Sequence, residues 1–97
     1  MYARTTTSPL QPGKTEEAFR IFSDSVIPAA KKQQGFKGAL WLKEANTDKA
    51  TEITLWETEA NLKASETNGY YQEQIAKFSP VLAGTTTREV YEAVVNM

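Results

Sequence analysis

Strand-like and helix-like stretches alternate along this 97-residue chain in an order that very few small folds accommodate. Residues Tyr2 to Ser8 are rich in Thr and open on an aromatic, and Pro9, Pro12 and Gly13 end the run; this predicts a first strand and a turn. Thr15 then offers a helix N-cap, with Glu16 and Glu17 in a first turn where carboxylates suit the helix dipole. Phe19, Phe22, Val26 and Ala29 or Ala30 recur at three- and four-residue steps, so one apolar stripe runs along a helix that ends before Gly35. Pro28 lies inside the stripe, where it removes a backbone donor and crowds the preceding turn. A kink is expected there and not a break, because the apolar pattern continues beyond it.

Phe36 to Glu44 and Thr51 to Glu57 are strand-like runs joined by a segment whose Asn46 and Asp48 favour a turn, so they are expected to pair as a hairpin. A second helical region follows, with Thr58 as N-cap and an interruption at Asn68-Gly69. Tyr71, Ile75, Phe78 and Leu82 then resume a helical stripe, Ser79-Pro80 starts a short turn, and Gly84 closes the region. The last strand reads from Thr86 to about Val95. Strand, helix, strand, strand, helix, strand is the ferredoxin-like plan: an α+β, β-α-β-β-α-β arrangement with an antiparallel sheet. Residues 1–97 form a single domain of this kind, since no linker, repeat or low-complexity tract divides them.

Such a two-layer domain has helices for only one sheet face. One parity of the strands carries Ile53, Leu55, Val90 and Val94, with Phe36, Leu40 and Leu42 beside them, and this nearly pure apolar set is assigned to the helices. The other parity carries Trp41, Thr54, Trp56, Glu89, Tyr91 and Ala93, joined by Tyr2 and Arg4, and is expected to meet the same face of a second copy. A homodimer also suits the size, since a chain this short buries only roughly 60 to 65% of its unfolded surface when it folds alone.

Composition narrows the chemistry. With 40% hydrophobic and 24% charged residues the chain is an ordinary globular one. The formal net charge is −1 and the basic residues are scattered, so nucleic acid is not an expected partner. No segment approaches a membrane span and the first residues lack the apolar core of a signal peptide; a cytoplasmic location is the expectation. There is no Cys and no His, which removes thiol nucleophiles and the commonest metal ligand, so chemistry falls to carboxylates, Tyr, Ser/Thr, Lys or Arg, and no metal or other cofactor is expected.

In order along the chain, Pro12-Gly13-Lys14 before the first helix, Pro28 within it, Gly35-Phe36-Lys37-Gly38 opening the second strand, Leu55-Trp56-Glu57-Thr58 closing the third, and then Leu62-Lys63-Ala64 resemble the antibiotic biosynthesis monooxygenase-like family of dimeric α+β barrels. The resemblance implies a homodimer whose two sheets form a barrel with helices outside. It also implies cofactor-independent oxygenation of quinols or polycyclic aromatics, although several members have no demonstrated reaction. Where members similar to the quinol oxygenases place a His after the Trp-Glu-Ser motif, this chain has Ser65 and Tyr70. The haem-degrading branch's Asn, Trp and His fall on Thr5 or Thr6, Ser65 and a residue near Ile75, so haem degradation is disfavoured.

Cofactor-free oxygenation needs a desolvated aromatic-walled pocket, a proton acceptor, and a donor or cation near the developing oxyanion. Arg4 and Tyr70 are the catalytic candidates, and Trp41, Trp56, Ser65, Tyr71 and Phe78 the candidate substrate-binding residues. Four of them have a plainer reading: Arg4 paired with Glu52 or Glu89, Trp56 and Tyr71 as packing residues, Tyr70 as a solvated surface residue. Three functions follow: an oxidoreductase acting as a cofactor-independent monooxygenase on a small aromatic or quinol, a non-catalytic accessory dimer that binds a small hydrophobic molecule, or a purely structural dimer.

Overall fold

A computed structural model describes residues 1–94. Four strands, β1 (Tyr2–Pro9), β2 (Phe36–Lys43), β3 (Lys49–Trp56) and β4 (Thr87–Glu92), form one antiparallel sheet in the order β2-β3-β1-β4. Helical segments α1 (Thr15–Ile21) and α2 (Ile27–Ala30) lie between β1 and β2, and α3 (Glu59–Thr67) and α4 (Tyr70–Ala76) between β3 and β4. This is the ferredoxin-like arrangement that the element order implied. Strand ends agree with the sequence reading to within two residues at every end but the last; β4 stops at Glu92, and Val95 lies outside the described residues.

The first helical region shows what Pro28 does. Residues Phe22–Val26 form a π-helical turn between α1 and α2, so the helix runs on without a break but widens just ahead of the proline. Pro28 has no amide to give the carbonyl of Asp24, and its ring would crowd that carbonyl in a regular helix; the wider turn relieves both. Thr15 is the first helical residue and not the cap, a place held by Lys14 without a side-chain bond. Thr58 does cap α3, its hydroxyl accepting the Asn61 amide at 3.0 Å. Gly35 precedes β2 with φ +82°, and a Cβ there would stand 2.3 Å from the Asn61 side chain, so this position needs glycine on both counts.

The sheet faces are the reverse of the expected assignment. On β3, Ala50, Glu52, Thr54 and Trp56 are buried while Thr51, Ile53 and Leu55 are only partly covered. The helices therefore lie on the face that carries Arg4, Thr6, Glu52, Thr54, Trp41 and Trp56. Val90 stands opposite Arg4 and joins them, and the register shift between Phe36 and Gly38 turns Phe36 to the same side. The face left open bears Leu40 and Leu42, 54% and 48% exposed, with Ile53, Leu55 and Tyr91. Apolarity alone assigned the wrong layer, because Arg4, Thr6, Thr54 and Ser65 find hydrogen-bond partners under the helices and do not need water.

Two apolar clusters hold the covered face at its ends. Leu10, Ala18, Phe22, Val26, Ala50, Phe78 and Val81 form one, with Trp41 packed against it. Ala30, Trp56, Leu62 and Tyr70 form the other. The register puts Arg4, Thr6, Glu52 and Thr54 between them, a polar row across the middle of the sheet. Truncating a side chain as buried as Leu62 to Ala would cost about 2–5 kcal/mol, so both clusters anchor the helices firmly around that row.

Candidate functional site

The polar row divides into two neighbouring assemblies. In the first, Arg4 is 2% exposed on the central strand β1. Its guanidinium donates to Ser65 Oγ at 2.8 Å and to Glu66 Oε2 at 3.3 Å, and stacks over the Tyr71 ring at 4.1 Å and the Trp56 ring at 5.3 Å. Glu66 is shared, since Arg88 of β4 also donates to both of its oxygens. Burial pushes the Glu66 carboxyl up, but Arg88 and Arg4 together hold it below its ordinary value. Burial lowers the Arg4 pKa, partly offset by Tyr71 and Glu66. The expected pairing of Arg4 with Glu52 or Glu89 is thus replaced by one with Glu66, a helix residue that strand pairing alone cannot bring to mind.

In the second assembly, Glu52 of β3 is 6% exposed and lines a small cavity with Thr6, Trp41, Ile75, Phe78 and Thr86. Among the described residues no cation lies within ion-pair distance of Glu52. Burial raises its pKa from 4.5 to about 7, against an opposing pull from Arg4. A carboxyl poised near neutrality in an apolar-walled recess is suited to accept and return a proton. The room for a water centre inside is about 10 Å³, enough for one water molecule.

Ile75 and Thr86 line this cavity and also a solvent-open groove of about 300 Å³ with Tyr71, Gln72 and Arg88. The groove and the cavity are therefore neighbours across these two side chains. The Thr6 and Tyr71 hydroxyls, 2.8 Å apart, link the residues of one to those of the other.

The residues singled out from sequence fall on both assemblies. Trp41 and Phe78 wall the cavity, stacked with ring centroids 6.2 Å apart. Arg4, Trp56, Ser65 and Tyr71 form the first assembly. Trp56 is fully buried, its indole N–H given to Thr54 Oγ1 at 3.0 Å. Tyr70 is buried beside it, edge to face at 6.4 Å, and so is not the solvated residue of the plainer reading; burial pushes its phenol up to about 12. Neither Arg4 nor Tyr70 lines the cavity. Glu52, Thr6, Glu66 and Arg88 were missed as site residues. Glu52 left one signal in sequence, a carboxylate inside a strand between Ala50 and Thr54 on one parity. Among the described residues no three His, Cys, Asp or Glu side chains come together to hold a metal ion, and no helix is long and apolar enough to cross a membrane.

Solved structures share the fold of this chain. ActVA-Orf6, a monooxygenase of Streptomyces coelicolor solved with the ligand nanaomycin D, superposes with a TM-score of 0.81 at 15% identity, covering 99% of this chain and 89% of that one. SnoaB, a cofactor-independent oxygenase from Streptomyces nogalater, gives 0.78 at 13% identity over 99% and 95%. A candidate antibiotic biosynthesis monooxygenase from Caulobacter crescentus CB15 gives 0.78 at 20% identity over 97% and 90%. The chain has the antibiotic biosynthesis monooxygenase fold. At these identities the likeness is one of fold, and other proteins that share it have no assigned function. No family model matches the sequence, and no curated protein does.

Proposed function

We infer that this chain works as a homodimer that oxygenates a small aromatic or quinol-type compound without a cofactor, with Glu52 as the proton acceptor. The observation that carries the reading is the Glu52 carboxyl, buried and, among the described residues, without a cation at ion-pair distance, at the wall of a cavity shaped by Trp41 and Phe78. The groove of Tyr71, Ile75 and Arg88, about 300 Å³, would hold the ring, with one hydroxyl reaching toward the neighbouring cavity past Ile75 and Thr86. Glu52 removes that hydroxyl's proton, and the electron-rich anion reduces dioxygen. One oxygen atom stays on the ring carbon and the other leaves as water, so a quinol plus O₂ gives a hydroxyquinone plus H₂O with no other reductant. The fold's oxygenase members, SnoaB and ActVA-Orf6, support the chemical class. The exposed Leu40, Leu42, Ile53, Leu55 and Tyr91 face supports the dimer, since a lone subunit would leave this patch in water.

Oxygen uptake with a panel of hydroquinones tests the reaction. Turnover is expected to rise with pH through about 7 as Glu52 ionises, and Glu52→Gln is expected to lower kcat by about 10²–10⁴ while the quinol still binds. Tight binding with no uptake by the unaltered protein would sink the oxygenase reading in favour of an accessory dimer that only holds a small hydrophobic molecule.

A further inference from the structure

A carboxyl that accepts a proton in a nearly closed recess must release it before it can act again. Resting on the reading of Glu52 as proton acceptor, we propose that Thr6 and Tyr71 form the proton exit from Glu52 to the open groove, with one water in the cavity as the first link.

Three observations meet in this assignment. Thr6 and Glu52 are direct partners across β1 and β3, so their side chains leave the same face about 5 Å apart at Cβ. Both line the cavity, whose room matches a single water, so one water spans the carboxyl and the hydroxyl. Beyond Thr6, the 2.8 Å hydrogen bond leads to the Tyr71 hydroxyl, and Tyr71 lines the groove that is open to solvent. Trp41, Ile75 and Phe78 supply apolar walls; of the hydroxyls that line the cavity, those of Thr6, Ser8 and Thr86, Thr6 is the one hydrogen-bonded to a side chain of the groove, Tyr71. The titratable and charged groups that face Glu52 are Arg4 from β1 and the phenols of Tyr70 and Tyr71 from α4. Arg4 is committed to Ser65 and Glu66 and stays protonated, so it carries no proton outward.

In the transfer the protonated carboxyl gives its proton to the water, which passes one of its own to Thr6 Oγ1. The Thr6 proton moves to the Tyr71 oxygen, and the phenol's original proton goes to groove water. Every bond to hydrogen that breaks is replaced by one that forms, and no electrons are exchanged. The stacked Arg4 guanidinium holds the Tyr71 ring in place, and the phenol's own proton leaves for groove water as the Thr6 proton arrives, so no net charge builds on its oxygen. Thr6 and Tyr71 act through Glu52 and are positioning residues for its recharging.

The test needs no substrate. A rapid pH jump across the Glu52 titration, followed by infrared at the protonated carboxyl band that Glu52→Gln abolishes, reads the rate at which Glu52 exchanges its proton with solvent. Thr6→Val and Tyr71→Phe are each expected to slow that relaxation at least about tenfold while the titration midpoint stays near that of the unaltered protein, and Thr6→Ser is expected to restore it. Relaxation at the unaltered rate in either Thr6→Val or Tyr71→Phe overturns the proposal. So does a slowing that appears only together with a displaced midpoint, since that marks a changed pocket and not a cut path. Because the measurement is made on ligand-free protein, a failure here leaves the oxygenase reading standing, and a failure of oxygen uptake leaves this result intact.

Discussion

The two faces of the sheet carry opposite chemistry to the one their surroundings suggest. Beneath the helices, where water is excluded, lie Arg4, Thr6, Glu52 and Thr54, all at most 6% exposed. On the uncovered face lie Leu40, Leu42, Ile53 and Leu55. An ordinary two-layer domain has this the other way round, because burying charge costs free energy and exposing leucine forgoes the gain from removing it from water. The inversion is tolerable if the polar face has work to do and the apolar one has a partner. On the proposed function, polarity under the helices marks the site and apolarity in the open marks the contact between copies.

The sharpest way to break this contrast is to make the open face polar as well. Leu40→Asp combined with Leu55→Asp is expected to weaken association at least about a hundredfold, given roughly 0.7 kcal/mol lost per partly exposed leucine at four positions in a two-chain assembly. Sedimentation at micromolar concentration would show a shift from two chains to one; an unchanged assembly would move the contact elsewhere.

The covered face makes its own prediction through Glu52. Its pKa lies near 7 in the folded chain against 4.5 for the ordinary group, so the folded state holds its proton to higher pH than the unfolded state does. Stability is therefore lost as pH rises from about 4.5 to about 7, by up to about 3 kcal/mol from this group alone. Urea titrations across that window should show the slope in the unaltered protein and its flattening in Glu52→Gln.

A smaller effect compares buried with exposed ion pairs. Glu66→Gln leaves Arg4 short of a charged partner inside the fold and should lower stability by about 1–3 kcal/mol in thermal or urea unfolding. Arg20→Ala, which breaks the exposed pair with Glu16 on α1, should change it by no more than about 0.5 kcal/mol.

Much of the scaffold was legible along the chain because its signals are local. Thr58 as a cap, Asn68-Gly69 as a break where Gly69 takes φ +88°, and the order of strands and helices all follow from residues a few positions apart. Pro28 announced a distortion, though not that it would take the form of a π-helical turn. The site was less legible. Trp41, Phe78, Arg4 and Ser65 could be named as residue types able to build a pocket, but Glu52 entered only as an ion-pair partner for Arg4.

What the sequence by itself determined is the alternation of elements, since hydrophobic period, caps and turn residues act within a few residues of one another and need no distant partner. Only the tertiary structure decided which parity of each strand meets the helices, because the register of each strand against its neighbours sets which side chains share a face: Thr6 pairs with Glu52, Val90 with Arg4, and the shift between Phe36 and Gly38 turns Phe36 to the covered side. That register put Glu52 opposite Thr6 in a recess and the leucines in the open. A carboxylate's burial, and with it its readiness to hold a proton near neutrality, depends on what lies above it, and that is a property of the packed layers and not of the strand that carries it.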